Sequence, residues 1–247
     1  PSTGRDWNAT IAPDGTIAYV SDRSGRFELW RMAPGDAPRQ ITDLRGLYPE
    51  GPQWSPDGRR LAVSVTAETG ADILLVDSDG ARPALAAGHP ADDRAPAWSA
   101  DGATLYFASN RDGVWRIWRS TAPFTTAEPV TGPGWIRVRD AGDGRSLFLV
   151  REVGGGLWRM ALPDGVPEPA IPDLHPWDVD NWAVDGSGIV FVQRDAALPD
   201  ESPRLVRLDL SSGARQVLGP VPPGMAKGGL TLTQDGAVVL SLQTTQD

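Results

Sequence analysis

The stretch PQWSPDGRRLAVSVTAETGADILLVDSDGARPALAA, residues 52–87, decides the fold. It divides into a strand ending at Trp54, a turn at Pro56-Asp57-Gly58, and a strand from Leu61 to Thr66. A loop then leads to a strand from Asp72 to Asp77, and a fourth, weaker strand follows the Asp79-Gly80 turn. Short apolar runs bounded by turn residues, with no sustained 3.6-residue period, predict β-strands and not helices. Asp-Gly supplies the positive φ angles of a tight two-residue hairpin, so the pair marks the turn between the first two strands of the unit.

That pair recurs at 14–15, 57–58, 101–102, 143–144, 185–186 and 235–236, at intervals of 43, 44, 42, 42 and 50. The last interval contains an eight-residue insertion, Ala196 to Pro203, and without it returns to the common period. A period near 42 fits a propeller blade or a longer helical repeat, and the strand pattern selects the propeller. Second strands align as IAYVS from Ile17, LAVSV from Leu61, LYFAS from Leu105, LFLVR from Leu147, IVFVQ from Ile189 and VVLSL from Val238. Three residues before each turn aspartate stand Ile11, Trp54, Trp98, Asp140, Trp182 and Leu232. Large apolar groups there fill the wedge between radially packed blades, so Trp30, Trp54, Trp98, Trp118, Trp158 and Trp182 are expected in blade cores. Asp140 breaks the pattern, and its unit, WIRVRDAGDGRSL, is expected to be locally irregular.

The reading is a six-bladed all-β propeller with four-stranded antiparallel blades, residues 1–247 forming one domain. Blades one to five each show four candidate strands, while the sixth shows only those near Leu230 and Val238. Propellers close by combining strands from both termini, because an unpaired edge leaves backbone donors and acceptors open. The last blade is therefore expected to be thin here, in a piece of a longer protein that begins at Pro1 and not at Met.

Composition narrows the function. The chain of 247 residues carries a net charge of −9, an acidic surface that repels phosphate backbones and anionic lipid heads, so neither nucleic acid nor a membrane is an expected partner of this segment. With no cysteine, disulfides and thiolate chemistry are excluded, and no apolar run approaches a membrane span.

The residues also carry a resemblance. APDG at 12–15, WSPDG at 54–58 and WSADG at 98–102, with SDRSGRFELW from Ser21 and SNRDGVWRIW from Ser109, resemble the TolB-type β-propeller repeat. GLWRMALPDG from Gly156, DNWAVDGSGIVFVQR from Asp180 and GGLTLTQDG from Gly228 resemble more narrowly the C-terminal TolB-like propeller of bacterial winged-helix regulators of the CadC type. The narrower resemblance implies a periplasmic sensor half of a membrane-anchored transcription factor. The broader one implies a periplasmic partner-binding role in the cell envelope, and a propeller gating a prolyl-oligopeptidase-like enzyme is a third possibility.

Catalytic constellations are absent from the sequence. There is no Gly-x-Ser-x-Gly, and the two histidines, His89 and His175, each stand beside a proline in a connecting segment without acid–base partners. No HExxH and no cysteine exist to ligate zinc. Gly154-Gly155-Gly156 reads as a hairpin loop, and Asp77-Ser78-Asp79-Gly80 lacks the downstream glutamate of a calcium loop. The expectation is a non-catalytic module without cofactor or metal.

What remains is a rim around the central channel, where unlike side chains converge on a protein, peptide or small ligand. Positions seven and eight before the turn aspartates supply Trp7, Glu50, Arg94, Trp135, Trp177, Asp178 and Lys227. Four and six before them stand Arg139, Asn181 and Arg137. Arg137 and Arg139 either make a positive spot for a carboxylate or an acidic peptide, or pair with carboxylates such as Asp93, Asp178 or Asp180. Trp7, Trp135 and Trp177 either anchor a partner or plug the loops from beneath.

Overall fold

Each repeat turns on its aspartate side chain as much as on its glycine. Asp57 Oδ1 accepts the Ser55 hydroxyl at 2.6 Å and the Arg59 N–H at 3.1 Å, while Ser55 Oγ accepts the Arg60 N–H at 3.0 Å. Asp101 repeats this with Ser99, Ala103 and Thr104. Glycine alone of the pair takes positive φ, from 61° at Gly144 to 83° at Gly15 and Gly236. The expected two-residue hairpin is thus corrected to a wider one, closed by Ser55 N–H on Arg60 O at 2.8 Å, in which the carboxylate caps the N–H two residues on.

The structure, a computed structural model, describes residues 5–80, 83–194, 202–233 and 235–242. The first blade is β1 (Asp6–Ile11), β2 (Ile17–Ser21), β3 (Glu28–Met32) and β4 (Arg39–Gln40). The second is β5 (Tyr48–Trp54), β6 (Arg60–Ala67), β7 (Gly70–Asp77) and β8 (Ala84–Leu85). The third is β9 (Asp93–Trp98), β10 (Thr104–Ser109), β11 (Arg116–Thr121) and β12 (Glu128–Pro129), and the fourth β13 (Trp135–Asp140), β14 (Ser146–Arg151), β15 (Leu157–Ala161) and β16 (Glu168–Ile171). The fifth is β17 (Trp182–Val184), β18 (Gly188–Gln193), β19 (Arg204–Asp209) and β20 (Arg215–Pro220). All pair antiparallel in chain order within each blade.

The described residues therefore form five four-stranded blades and not six. The sixth repeat forms a two-stranded sheet, β21 (Met225–Leu232) with β22 (Val238–Leu242), to which no further strand pairs among the described residues. Residues 195–201, most of the insertion, lie outside them. β21 still closes the ring on the inside: a Cβ on Gly228 would lie 3.3 Å from Asn8 Oδ1 in the first blade and 3.6 Å from Asp180 Cβ beside the fifth.

Burial follows the strand period. In β6, Leu61, Val63 and Val65 pack toward the first blade while Ala62 packs toward the third. In β14, Leu147 and Leu149 face the third blade, and Phe148 and Val150 the fifth. Second strands are buried on both faces, which is why they read as continuous apolar runs. Trp54, Trp98 and Trp182 each enter the core shared with the preceding blade. Trp98 Nε1 donates to Gln53 O across that boundary at 3.2 Å. Trp118 is also buried, while Trp30 and Trp158 are half-buried. The fourth unit forms its strands despite Asp140, its turn capped by Asp143 Oδ1 on the N–H groups of Arg145 and Ser146.

Candidate functional site: the channel and its rim

Inner strands carry a bulge at one recurring place, between Trp7 and Thr10, between Glu50 and Gln53, and between Trp135 and Arg137. β9 slips likewise between Arg94 and Ala97. Asn8, Gly51 and Ala95 take φ of 53°, 55° and 53° at the bulge. Bulges re-aim side chains and kink the strand, and positive φ at non-glycine residues marks backbone held there by its surroundings. Ala95 N–H is held by Ser64 Oγ at 3.0 Å. Gly228 and Gly229 donate N–H bonds to Asn181 Oδ1 at 2.9 and 3.2 Å.

The bulged strands surround a cavity of about 360 Å³ that opens on the face where inner strands begin. Trp7, Glu50, Arg94, Arg137 and Arg139, all expected at the site, line it. Trp7 and Tyr48 stack at 6.1 Å and 24°, with Phe27 edge-on to both. Arg94 pairs with Asp92 at 3.1 Å, and Arg137 Nε donates to Asp180 Oδ1 at 2.6 Å. Arg139 lies over the face of Trp182, 5.1 Å from its centroid. Burial holds its guanidinium below the usual arginine range. Of the two alternatives for the arginine pair, ion pairing describes Arg137, while among the described residues Arg139 makes no ion pair.

Other expected rim residues are placed elsewhere. Trp135 is buried, edge-on to Trp158 at 5.9 Å and capped by Arg151 at 5.0 Å, so it is a core plug and not a rim anchor. Asp178 is fully buried, taking Arg194 Nε at 2.5 Å and Asn181 Nδ2 at 2.9 Å. Asn181, also buried, is spent on Asp178 and on β21. Trp177 is 76% exposed but does not line the cavity. The side chain of Lys227 lies outside the described residues.

Asp178 belongs to a device that single positions could not reveal. Asp6 binds Arg23 at 2.8 Å and Asp93 binds Arg111 at 2.8 Å, each from the first residue of an inner strand to the loop after the second. Both arginines also engage the preceding serine, Ser21 or Ser109, and cover Trp30 or Trp118. The recurring Asp–Arg separations of 17, 18 and 16 residues were the available signal. The histidines cap loops: His89 Nδ1 accepts the Ala91 N–H at 3.1 Å and His175 Nδ1 that of Trp177 at 3.2 Å.

Radial sheets, a lined channel and inter-blade cores define a β-propeller. The chain belongs to the TolB β-propeller family, whose domain model matches residues 37–165. It is 38% identical over 88 residues to the Tol-Pal system protein TolB of Anaeromyxobacter dehalogenans, covering 35% of this chain and 20% of that one. The structure of TolB from Acinetobacter baumannii superposes with a TM-score of 0.71 at 20% identity over 91% of this chain and 56% of that one. A puromycin-hydrolyzing peptidase of Mycobacterium tuberculosis shares the fold, with a TM-score of 0.70 at 19% identity over 93% of this chain and 39% of that one. The chain matches under half the length of the curated relatives it resembles. The comparisons bear on the TolB side of the resemblance and not on the regulator side. No helix among the described residues is long and apolar enough to cross a membrane.

Proposed function

We propose that this propeller is a non-catalytic docking module of the bacterial envelope, periplasmic as the TolB resemblance implies, which receives a protein or peptide partner over the channel mouth. On this reading residues 1–247 are one domain, with β21 and β22 the inner half of a sixth blade. The observation that carries it is the exposed apolar pair Trp177 and Val153, 76% and 81% exposed, beside the cavity opening. Their loops touch: a Cβ on Gly155 would lie 3.4 Å from Pro176 Cγ, and the Trp177 loop runs on into Val179 and Asp180 of the cavity wall. An exposed tryptophan with an exposed aliphatic residue on the adjoining loop suits a binding hot spot.

Cross-linked capture from an envelope extract tests it, comparing the parent with Trp177→Ser/Val153→Ser and with Val166→Ser. Val166, 80% exposed, sits in the loop between β15 and β16, on the face of the Asp-Gly turns. Loss of a captured protein in the rim variant alone, with unchanged melting temperature, is expected. Identical capture by all three discards the reading.

A further inference from the structure

Arg139, Gln53 and Thr231 line both the mouth cavity and the opening on the turn face, so they form the waist of the channel. Each stands four residues before its turn aspartate, at equivalent places in three inner strands. Among the described residues, the Arg139 guanidinium makes no ion pair and no hydrogen bond, its contact being the Trp182 face. The Gln53 amide and the Thr231 hydroxyl likewise bond to no described residue. Three donors therefore line one level of the channel without an acceptor among the described residues, and one of them is a cation in a partly desolvated wall.

Charge sets the kind of acceptor. Of the cavity-lining cations, Arg94 is paired with Asp92 and Arg137 with Asp180, which leaves the single positive charge of Arg139 without a carboxylate partner among the described residues. A single negative charge balances it, whereas a phosphate dianion would leave excess negative charge beside Asp180. The planar guanidinium fork matches a carboxylate, and the stacked Trp7 and Tyr48 offer an apolar wall in a volume suited to a small molecule.

We propose that the waist of the channel binds a small aromatic or apolar monocarboxylate, with Arg139 as the anchoring cation and Gln53 and Thr231 as accessory donors. The site is separate from the rim that receives a protein partner. Filling it gives a partly buried cation an acceptor, so the ligand stabilises the fold as its concentration rises above its dissociation constant.

Thermal melting at fixed ionic strength tests it, with sodium benzoate, sodium acetate or inorganic phosphate exchanged for sodium chloride. Benzoate is expected to raise the melting temperature of the parent chain in a saturable way, acetate less, and phosphate least. Arg139→Met is expected to abolish the benzoate response, and Gln53→Ala to raise the half-saturating concentration several-fold. Should Arg139→Met fail to fold, the Arg139 Nε–Hε resonance of the parent, titrated with benzoate, carries the test, and an unmoved resonance counts against the site. A parent chain indifferent to benzoate, an Arg139→Met chain that still responds, or phosphate outperforming benzoate overturns the proposal. Trp177→Ser/Val153→Ser should titrate with benzoate as the parent does, so loss of partner capture and loss of the carboxylate site are read apart.

Discussion

Arg111 holds Nη2 2.8 Å from Oδ2 of Asp93, a carboxylate with no exposed surface, and lies over the Trp118 ring at 5.0 Å. The pair fixes the start of β9 to the loop after β10. Removing one partner of a buried pair leaves an uncompensated charge, which costs about 3–5 kcal/mol. Arg111→Met is expected to lose that much in urea unfolding at pH 7, and Asp93→Asn/Arg111→Met markedly less than the sum of the single losses. Burial pushes the Asp93 carboxyl up. Its folded form therefore holds a proton more tightly than the unfolded chain, its contribution is full below the unfolded value and fades as pH rises through the folded one. The Arg111→Met deficit should accordingly shrink as pH falls. Additive losses within about 0.5 kcal/mol would show that the two groups do not act as a pair.

Asp140 is the carboxylate the fold would gain by neutralising. It stands where two neighbouring repeats place tryptophan, with Oδ1 on the Gly142 N–H at 2.7 Å and Oδ2 buried without a partner among the described residues. Burial raises its pKa from the ordinary 3.8. Its stabilising contribution is present below that value and lost as pH rises through the folded one, so the charged form weakens the fold at neutral pH. Asp140→Asn keeps the acceptor for Gly142 and removes the charge. At pH 7 it should gain about 1 kcal/mol, raising the melting temperature by roughly 2–4 °C. The gain should vanish toward pH 3. Equal melting temperatures at pH 7 would contradict the assignment.

The turn aspartates behave in the opposite sense. The Ser55 hydroxyl holds Asp57 below the usual carboxylate range, and the Ser99 hydroxyl does the same for Asp101. Stability from such groups is present above the unfolded value and is lost as pH falls through the folded one. Ser55→Ala is expected to cost about 1 kcal/mol at pH 7 and progressively less as the pH falls through the folded value of Asp57 and the carboxylate takes up a proton. A loss independent of pH would mean that Ser55 acts through the Arg60 N–H alone.

The repeat was legible because each turn uses local chemistry, Asp and Gly in adjacent positions, and because second strands buried on both faces produce an unbroken apolar signature. Trp7, Glu50, Arg94, Arg137 and Arg139 came from the same register, counted back from the turn. Trp135 and Asp178 misled the count because side-chain direction at the strand entrance differs from blade to blade: the position that opens in one blade is a core plug or a brace in another. Arg194 stands 16 residues after Asp178, close to the spacings of the other two braces, but a single Asp–Arg spacing does not show that the two side chains meet, and only the three braces together make it a signal. Tyr48 was missed because it lies outside the register and enters the cavity wall only by stacking on Trp7.

Gly80 tests how tightly neighbouring blades are seated. The turn at 77–80, weighed in the sequence as a calcium loop, is docked against the first blade: Arg31 Nη1 donates to Ser78 O at 2.8 Å. Gly80 sits at φ +88°, and a Cβ there would fall 2.1 Å from Ile41 O, a backbone atom. Gly25 has nearly the same φ, +89°, with nothing within 4 Å of its would-be Cβ. Left-handed strain alone is worth about 1–2 kcal/mol for an alanine, so Gly25→Ala should lose that amount. Gly80→Ala must also separate two blades or bend one, and its loss should exceed that of Gly25→Ala by about 1–3 kcal/mol, in line with the cost of overpacking. Paired urea titrations of the two variants measure the difference. Matching losses would mean that the contact between the second blade's turn and Ile41 yields freely, and that the inter-blade cores, not this seam, set the spacing.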